Sequence, residues 1–274
     1  MQNVGYYNGQ IGKLSEINIP LLDRGYYFGD GVYDAAYSID YNIIFLDEHI
    51  DRFYKSAELI NIIIPMCKKE FKDLVINLSK LVEDGDQFVY FQVTRGTAIR
   101  EHIYLPQIRP NLTIMIKPKK MMNKSTKIKT ILVEDKRHYM CNVKTLNLLQ
   151  NVLAAQKAYE EDAYEAIFHR GNIVTECSHS NIHIIKNERL ITAPLDNLIL
   201  PGVTRNHLLK VARLLGYDVE ERKYSTNELF EADEVFVTAA GMMCNSVNYI
   251  NKIPVGGKNN HMFRVIQDKM FNIN

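Results

Sequence analysis

The sequence lacks any apolar run that approaches the ~18–20 residues needed to span a bilayer. The most tempting stretch, Leu59–Met66, is broken by Asn61 and Pro65. It lacks an excess of either charge: 33 Lys+Arg against 32 Asp+Glu leave a net +1, with no long block of one sign. Nucleic-acid binders carry a basic excess or stripe, so a phosphate-backbone partner is not expected. It is poor in cysteine, and Cys67, Cys141, Cys177 and Cys244 are far apart with no C-x-x-C pair. Structural zinc and a disulfide framework are therefore not expected, and reduced, mostly buried thiols are. Met1-Gln2-Asn3-Val4-Gly5 has no basic head followed by an apolar stretch. No export signal is expected there, and the cytoplasm is the expected location.

What is present describes a globular protein. The chain has 274 residues, 46% hydrophobic and 24% charged, with 14 Gly and 8 Pro. That length exceeds a single core of ~100–150 residues, so two lobes or one large domain is expected. Asn8-Gly9 between strand formers predicts a tight hairpin, and a second is expected around Asp40. From Asp47, placed to cap, the pattern turns helical through Ile50, Phe53, Tyr54 and Ala57. A second helix is expected over 70–83, and strands over 88–94 and 112–116. The stretch 117–127 carries Pro118 and five lysines, and is the expected connector. Beyond it come a strand over 128–134, a helix over 147–160, and strands over 165–169 and 181–185. A helix over 204–215 is expected to be capped by Thr204 and ended by Gly216, followed by a strand over 235–238 and a helix over 261–271. The fold class is thus α+β in two lobes: 1–117, a linker at 118–127, and 128–274.

Three kinds of chemistry can be weighed from the residues. No metal is expected, because the eight histidines form no H-E-x-x-H pair and Cys177-Ser178-His179 supplies too few ligands. Cys177 with His179, or Cys141 with His138, could pair as thiolate and imidazolium, but sequence neighbours seldom provide that geometry and buried thiols are the expectation. Lys144 lies just ahead of the helix expected from Asn147. An apolar setting weakens the ammonium form of a lysine and frees its amine for imine chemistry, but the local context alone favours a lysine snorkelling from a helix start to water.

Seven segments, in order along nearly the whole chain, bear on that choice. They are Asp23–Tyr33 (DRGYYFGDGVY), His49-Ile50-Asp51-Arg52, Tyr90–Thr97 running into Arg100-Glu101-His102, Lys144–Leu149 (KTLNLL), Glu165-Ala166-Ile167, Val174-Thr175-Glu176 and Gly202-Val203-Thr204-Arg205. Together they resemble the fold-type IV pyridoxal-phosphate enzymes, the class IV aminotransferases, and among them most closely the bacterial D-amino-acid aminotransferases. The resemblance implies a small N-terminal α/β domain and a larger C-terminal pseudo-barrel domain with pyridoxal 5'-phosphate (PLP) between them. It implies that Lys144 carries the cofactor as an aldimine and shuttles the substrate's proton, and that Glu176 faces the pyridine nitrogen. It assigns the phosphate to Arg52 and to backbone N–H groups of Val203 and Thr204. A helix start is a sensible anion site unaided. Tyr33, Arg100 and His102 match the group that binds the substrate carboxylate, Arg100 and His102 reaching in from a neighbouring subunit, which implies a homodimer.

The sequence also departs from the pattern. Ala239-Ala240-Gly241 stands where the aminotransferases usually carry phosphate-binding hydroxyls, leaving backbone donors at Ala240, and Cys177 and His179 replace the usual Gly and Ser/Thr. The implied activity is transamination of a small, D-configured amino acid with a 2-oxo acid, by ping-pong kinetics. The alternatives are an aminodeoxychorismate lyase, which releases pyruvate and 4-aminobenzoate in folate synthesis, a branched-chain aminotransferase, and a non-catalytic cofactor-binding protein.

Overall fold

A computed structural model describes residues 1–272. The chain divides into two compact units. The first is Met1–Met121 with Val143–Asn147, and the second is Met122–Asn142 with Leu148–Asn274. The division falls within the 118–127 connector, but the short segment around Lys144 belongs with the first unit rather than with the 128–274 lobe in which the sequence alone would place it.

The first unit is built on a six-stranded antiparallel sheet. Its strands are β1 (Val4–Tyr7), β2 (Gln10–Gly12), β3 (Gly31–Ile39), β4 (Asn42–Ile43), β5 (Gln87–Thr94) and β6 (Asn111–Pro118), in the order β2-β1-β6-β5-β3-β4. Both expected hairpins form, with left-handed backbone at Asn8 and Gly9 and at Asp40 and Tyr41, as two-residue turns require. Three helices accompany the sheet: α1 (Arg24–Phe28), α2 (Leu46–Leu59) and α3 (Lys68–Ser79). Asp47 is not the cap of α2. Phe45, at φ 53°, fills that position, and Asp47 lies in the first turn, where its charge still favours the dipole. Ile50, Phe53 and Ala57 of α2 and Phe71, Val75 and Leu78 of α3 bury one stripe against Val89, Phe91, Val93 and Ile114. Phe53, Phe71 and Phe91 meet with centroids 5.0–5.5 Å apart.

The second unit holds a nine-stranded mixed sheet. Its strands are β7 (Ile128–Glu134), β8 (Glu165–Arg170), β9 (Ile173–Cys177), β10 (Asn181–Lys186), β11 (Arg189–Thr192), β12 (Asp218–Glu221), β13 (Glu234–Ala239), β14 (Met243–Ile250) and β15 (Ile253–Pro254). The order is β12-β11-β10-β13-β14-β7-β8-β9, with β15 on β14. Only Ser178, His179 and Ser180 separate β9 from β10 in sequence, yet four strands lie between them in the ladder. A three-residue link can span that only if the sheet curls back on itself, and Cys177 N–H closes the seam on Ser180 O at 2.8 Å. The helices here are α4 (Leu149–Glu160), α5 (Val203–Leu214), α6 (Thr226–Glu231) and α7 (Asn260–Phe271). Gly202, not Thr204, caps α5, and α4 begins two residues later than expected because Asn147 is held in the first unit. No helix among the described residues is long and apolar enough to cross a membrane.

Two buried histidines give the stability a pH signature. His183 on β10 bonds Thr192 Oγ1 (3.0 Å) and Thr238 Oγ1 (2.9 Å). Burial, then Arg205, holds it well below the usual histidine range. Burial likewise lowers His49 despite its Asp34 partner. Each therefore takes up its proton at lower pH in the folded chain than in the unfolded one, where histidine titrates near pH 6.5. Stability is therefore complete above that pH and lost below it. Urea unfolding at pH 7 and at pH 5.5 is expected to differ by about 1–2.5 kcal/mol, lower in acid.

Candidate active site

The residues singled out from sequence divide between the units: Tyr33, Arg52, Arg100, His102 and Lys144 lie in the first, and Glu176, Val203, Thr204 and Ala240 in the second. In the first unit Lys144 is fixed by its backbone. Its carbonyl accepts from Tyr33 N–H (2.9 Å), its N–H donates to Ser56 Oγ (3.2 Å), and Leu146 N–H donates to Gly31 O (3.0 Å). The segment thus runs as a bridge beside β3, with Val32 opposite Thr145. Gly31 makes the approach possible, since a Cβ there would lie 2.6 Å from Val93 O and 2.8 Å from the Leu146 side chain. The half-buried Lys144 Nζ donates to Tyr33 Oη at 3.3 Å and sits 4.3 Å from the ring centroid. Tyr33 in turn stacks on Tyr90 at 5.5 Å.

Arg52 lies on the same stripe of α2 as Ser56, four residues on, and His49, three before. Its Nε and one Nη each reach a different oxygen of Asp34 at 2.8 Å, and His49 Nδ1 is also 2.8 Å from Asp34. Asp34 is fully buried on β3. Burial alone would raise its carboxyl, but Arg52 and then His49 overcome this and hold it well below the usual range. Asp34 went unnoticed in the sequence, and His49 was quoted only as a neighbour of Arg52; a single carboxylate next to Tyr33 carries no signal until β3 is laid against α2.

Arg100 and His102 meet around Phe28, the guanidinium 4.9 Å and the imidazole 5.2 Å from its ring. Arg24 fixes this stretch by donating to Glu101 O (2.6 Å). Among the described residues, no hydrogen bond, ion pair or ring contact joins Arg100 or His102 to Tyr33.

In the second unit Glu176, one residue before the end of β9, has its carboxylate fully engaged. Oε1 accepts from Arg137 Nη1 (2.5 Å), and Oε2 from Asn181 Nδ2 (3.0 Å) and Leu200 N–H (3.0 Å). Arg137 is itself gripped in parallel by Asp135 at 2.9 Å, and Arg170 adds a 3.1 Å bond to the same carboxylate. Asp135 is lowered by its arginines against the opposing effect of burial. The Asp135-Lys136-Arg137 alternation just past β7 sends both side chains to one side, but nothing local marks the pair as lying against Glu176. The α5 N-terminus presents Val203 and Thr204, and no side chain caps Gly202. A Cβ at Gly202 would lie 2.0 Å from Asn181 Oδ1, so Asn181 connects the Glu176 carboxylate to the start of α5. Ala240 lies in the turn that joins β13 and β14.

Thiol chemistry finds no support. Cys177 is fully buried, and burial, then Glu165, pushes its thiol well above the ordinary value; Cys141 is pushed up to about 11, chiefly by burial. Among the described residues no cluster of three or more His, Cys, Asp or Glu could hold a metal ion.

Residues 31–250 match the sequence profile of the family Amino-transferase class IV. The chain belongs to the class IV aminotransferases. It is 38% identical over 235 residues to a D-alanine aminotransferase of Bacillus licheniformis, covering 85% of this chain and 83% of that one. In three dimensions it resembles the branched-chain amino acid aminotransferase of Escherichia coli, with TM-score 0.90 and 19% identity over 100% of this chain and 94% of the other. It also resembles the T.th. branched-chain amino acid aminotransferase complexed with N-(5'-phosphopyridoxyl)-L-glutamate, with TM-score 0.86 and 19% identity over 98% and 92% of the two chains. The two-unit α+β architecture is thus that of the fold-type IV aminotransferases, as the seven segments led us to expect.

Proposed function

We propose that the protein is a cytoplasmic, homodimeric, PLP-dependent aminotransferase that moves the amino group of a small D-amino acid to a 2-oxo acid. The observation that carries this reading is the amine of Lys144, pinned by main-chain bonds beside the Tyr33 phenol in a chain akin to D-alanine aminotransferases. The donor set fits PLP: an amine for its aldehyde, a carboxylate with compensated charge for its ring nitrogen, and a guanidinium with an uncapped helix start for its phosphate. When bound, PLP supplies the ring that accepts the electrons released at the substrate's Cα.

The chain's own residues supply the rest. Lys144 Nζ takes the proton from one carbon and returns it to another, and the Tyr33 hydroxyl orients that nitrogen between transfers. Glu176, bonded by Arg137, Asn181 and Leu200 N–H, presents a carboxylate held in one orientation. The resemblance would assign the phosphate to Arg52, which Asp34 aligns, and to the N–H groups of Val203 and Thr204 and the Ala240 backbone. Ile99 and Ile103 flank Arg100 and His102 and are 74% and 82% exposed, an apolar surface that suits burial against a second copy. Three buried cysteines and one exposed, all unpaired, agree with a reducing compartment.

The deciding assay pairs D-alanine with 2-oxoglutarate and, separately, offers aminodeoxychorismate. Formation of D-glutamate and pyruvate in the first supports the proposal. Pyruvate release from aminodeoxychorismate with nothing in the first would identify a lyase instead. Arg100→Ala is expected to raise KM for D-alanine by roughly 10–100-fold, the worth of a charge-assisted bond, with a smaller change in kcat. An unchanged KM removes Arg100 from the carboxylate site.

A further inference from the structure

Glu165 opens β8 and is fully buried, yet it stands in none of the roles above. Its carboxylate gathers an uncommon number of donors, nearly all from the three residues that link β9 to β10. Oε1 accepts from Ser178 N–H (3.0 Å), from the Ser178 hydroxyl and from Ala166 N–H (2.9 Å). Oε2 accepts from the Ser180 hydroxyl (2.8 Å) and, at 3.4 Å, from His179 N–H, and lies 3.0 Å from His179 Nδ1. Burial would favour the neutral acid; His179 and the two hydroxyls outweigh it, so the group is an anion at neutral pH. The link it grips runs from Glu176, one residue before Cys177, to Asn181, whose amide bonds Glu176 Oε2. The length and set of this link decide where Asn181 stands relative to Glu176 and to Gly202 at the start of α5.

We propose that Glu165 is a positioning residue for Glu176: by gripping Ser178–Ser180 it seats the Asn181 amide against the Glu176 carboxylate. A curled sheet could be closed by apolar packing or by a neutral turn. A buried charge that collects both hydroxyls and the backbone of one short link fixes that link in a single arrangement, as charge-assisted bonds do. The proposal deepens the cofactor reading, because Glu176 is the group that would face the pyridine nitrogen. Its first test needs no cofactor.

Glu165→Gln preserves size but replaces one acceptor oxygen with a donor that faces other donors. Ser180→Ala removes a single bond and keeps the fold. Apoprotein selectively labelled with 15N at asparagine reports solvent exchange of the Asn181 side-chain amide, its resonance assigned by Asn181→Asp. Exchange is expected to quicken by at least about tenfold in Glu165→Gln and by less in Ser180→Ala. The dissociation constant for PLP, followed by absorbance, is expected to rise by at least about tenfold in Glu165→Gln. Leu229→Ala, a buried truncation in α6, serves as the control for general destabilisation: its unfolding midpoint falls while Asn181 exchange and PLP affinity hold. Wild-type exchange in both Glu165→Gln and Ser180→Ala, or an equal change in Leu229→Ala, overturns the proposal. A wild-type protein that takes up no PLP would overturn the cofactor assignment instead, and the apoprotein exchange would still decide the part played by Glu165.

Discussion

Lys144→Ala is expected to lower transamination by at least about 10³-fold while leaving the apoprotein's unfolding midpoint nearly unchanged. The two halves of that expectation have separate origins. The segment is held by main-chain groups: Tyr33 N–H on Lys144 O, Lys144 N–H on Ser56, and Leu146 N–H on Gly31. None of these depends on the lysine side chain, whose own contacts are one 3.3 Å bond and the face of Tyr33. The chemistry, by contrast, has no substitute for the amine. Lys144→Arg keeps a cation over the Tyr33 ring but offers a guanidinium that does not give up its proton, and it is expected to be as inactive as the alanine variant. A small primary amine added to Lys144→Ala should restore part of the rate, because only a proton carrier is missing there. Borohydride treatment of the wild-type protein with PLP should leave a cofactor-derived mass on Lys144. A label elsewhere, or none after reconstitution, would end the reading.

Asp34→Asn should have the largest effect on stability. It leaves Arg52 and His49 facing a neutral amide in the interior, and removing one partner of a buried ion pair costs about 3–5 kcal/mol. For a chain of this size that corresponds to a fall in Tm on the order of 10 °C. The pH dependence checks the cause. Asp34 has its carboxyl lowered in the folded state, so its contribution is complete above the unfolded value near 3.9 and is lost as pH falls through the folded one. Wild type and Asp34→Asn should therefore differ most at neutral pH and converge in strong acid. Arg52 would also lose the groups that aim it, so PLP affinity is expected to fall along with stability. Unfolding curves of the apoprotein and PLP titrations measure the two effects separately. A neutral-pH difference below about 1 kcal/mol would mean that the Asp34 charge is not what holds Arg52.

The sequence was most informative where structure is made by neighbours. Asn8-Gly9 specified its hairpin because few other pairs accept left-handed backbone at both positions. The apolar stripe of α2 was visible because Ile50, Phe53 and Ala57 repeat at helical spacing. The strands β11 and β12 escaped notice because each has four residues and their parallel pairing brings together segments some 29 positions apart. β14 was hidden by its opening Met243-Cys244-Asn245-Ser246, which reads as a loop until β13 lies beside it. For the proposed site, Lys144 and Glu176 were singled out through flanking motifs, whereas Asp34 and Arg137 were not. Their importance lies in partners 18 and 39 residues away, and no local pattern encodes such a distance.

The chain enters the second unit after Met121, returns to the first for Val143–Asn147, and leaves again at Leu148. Neither unit is therefore a self-contained module that could be cloned, swapped or inherited by itself. The first 121 residues expressed alone would keep Tyr33 and Ser56 but lose the strip that bridges to Val32. The remainder would carry Lys144 with nothing to hold it. A protein whose chain is stitched back into the other unit in this way can diversify by changing loops and side chains, but not by shuffling its halves.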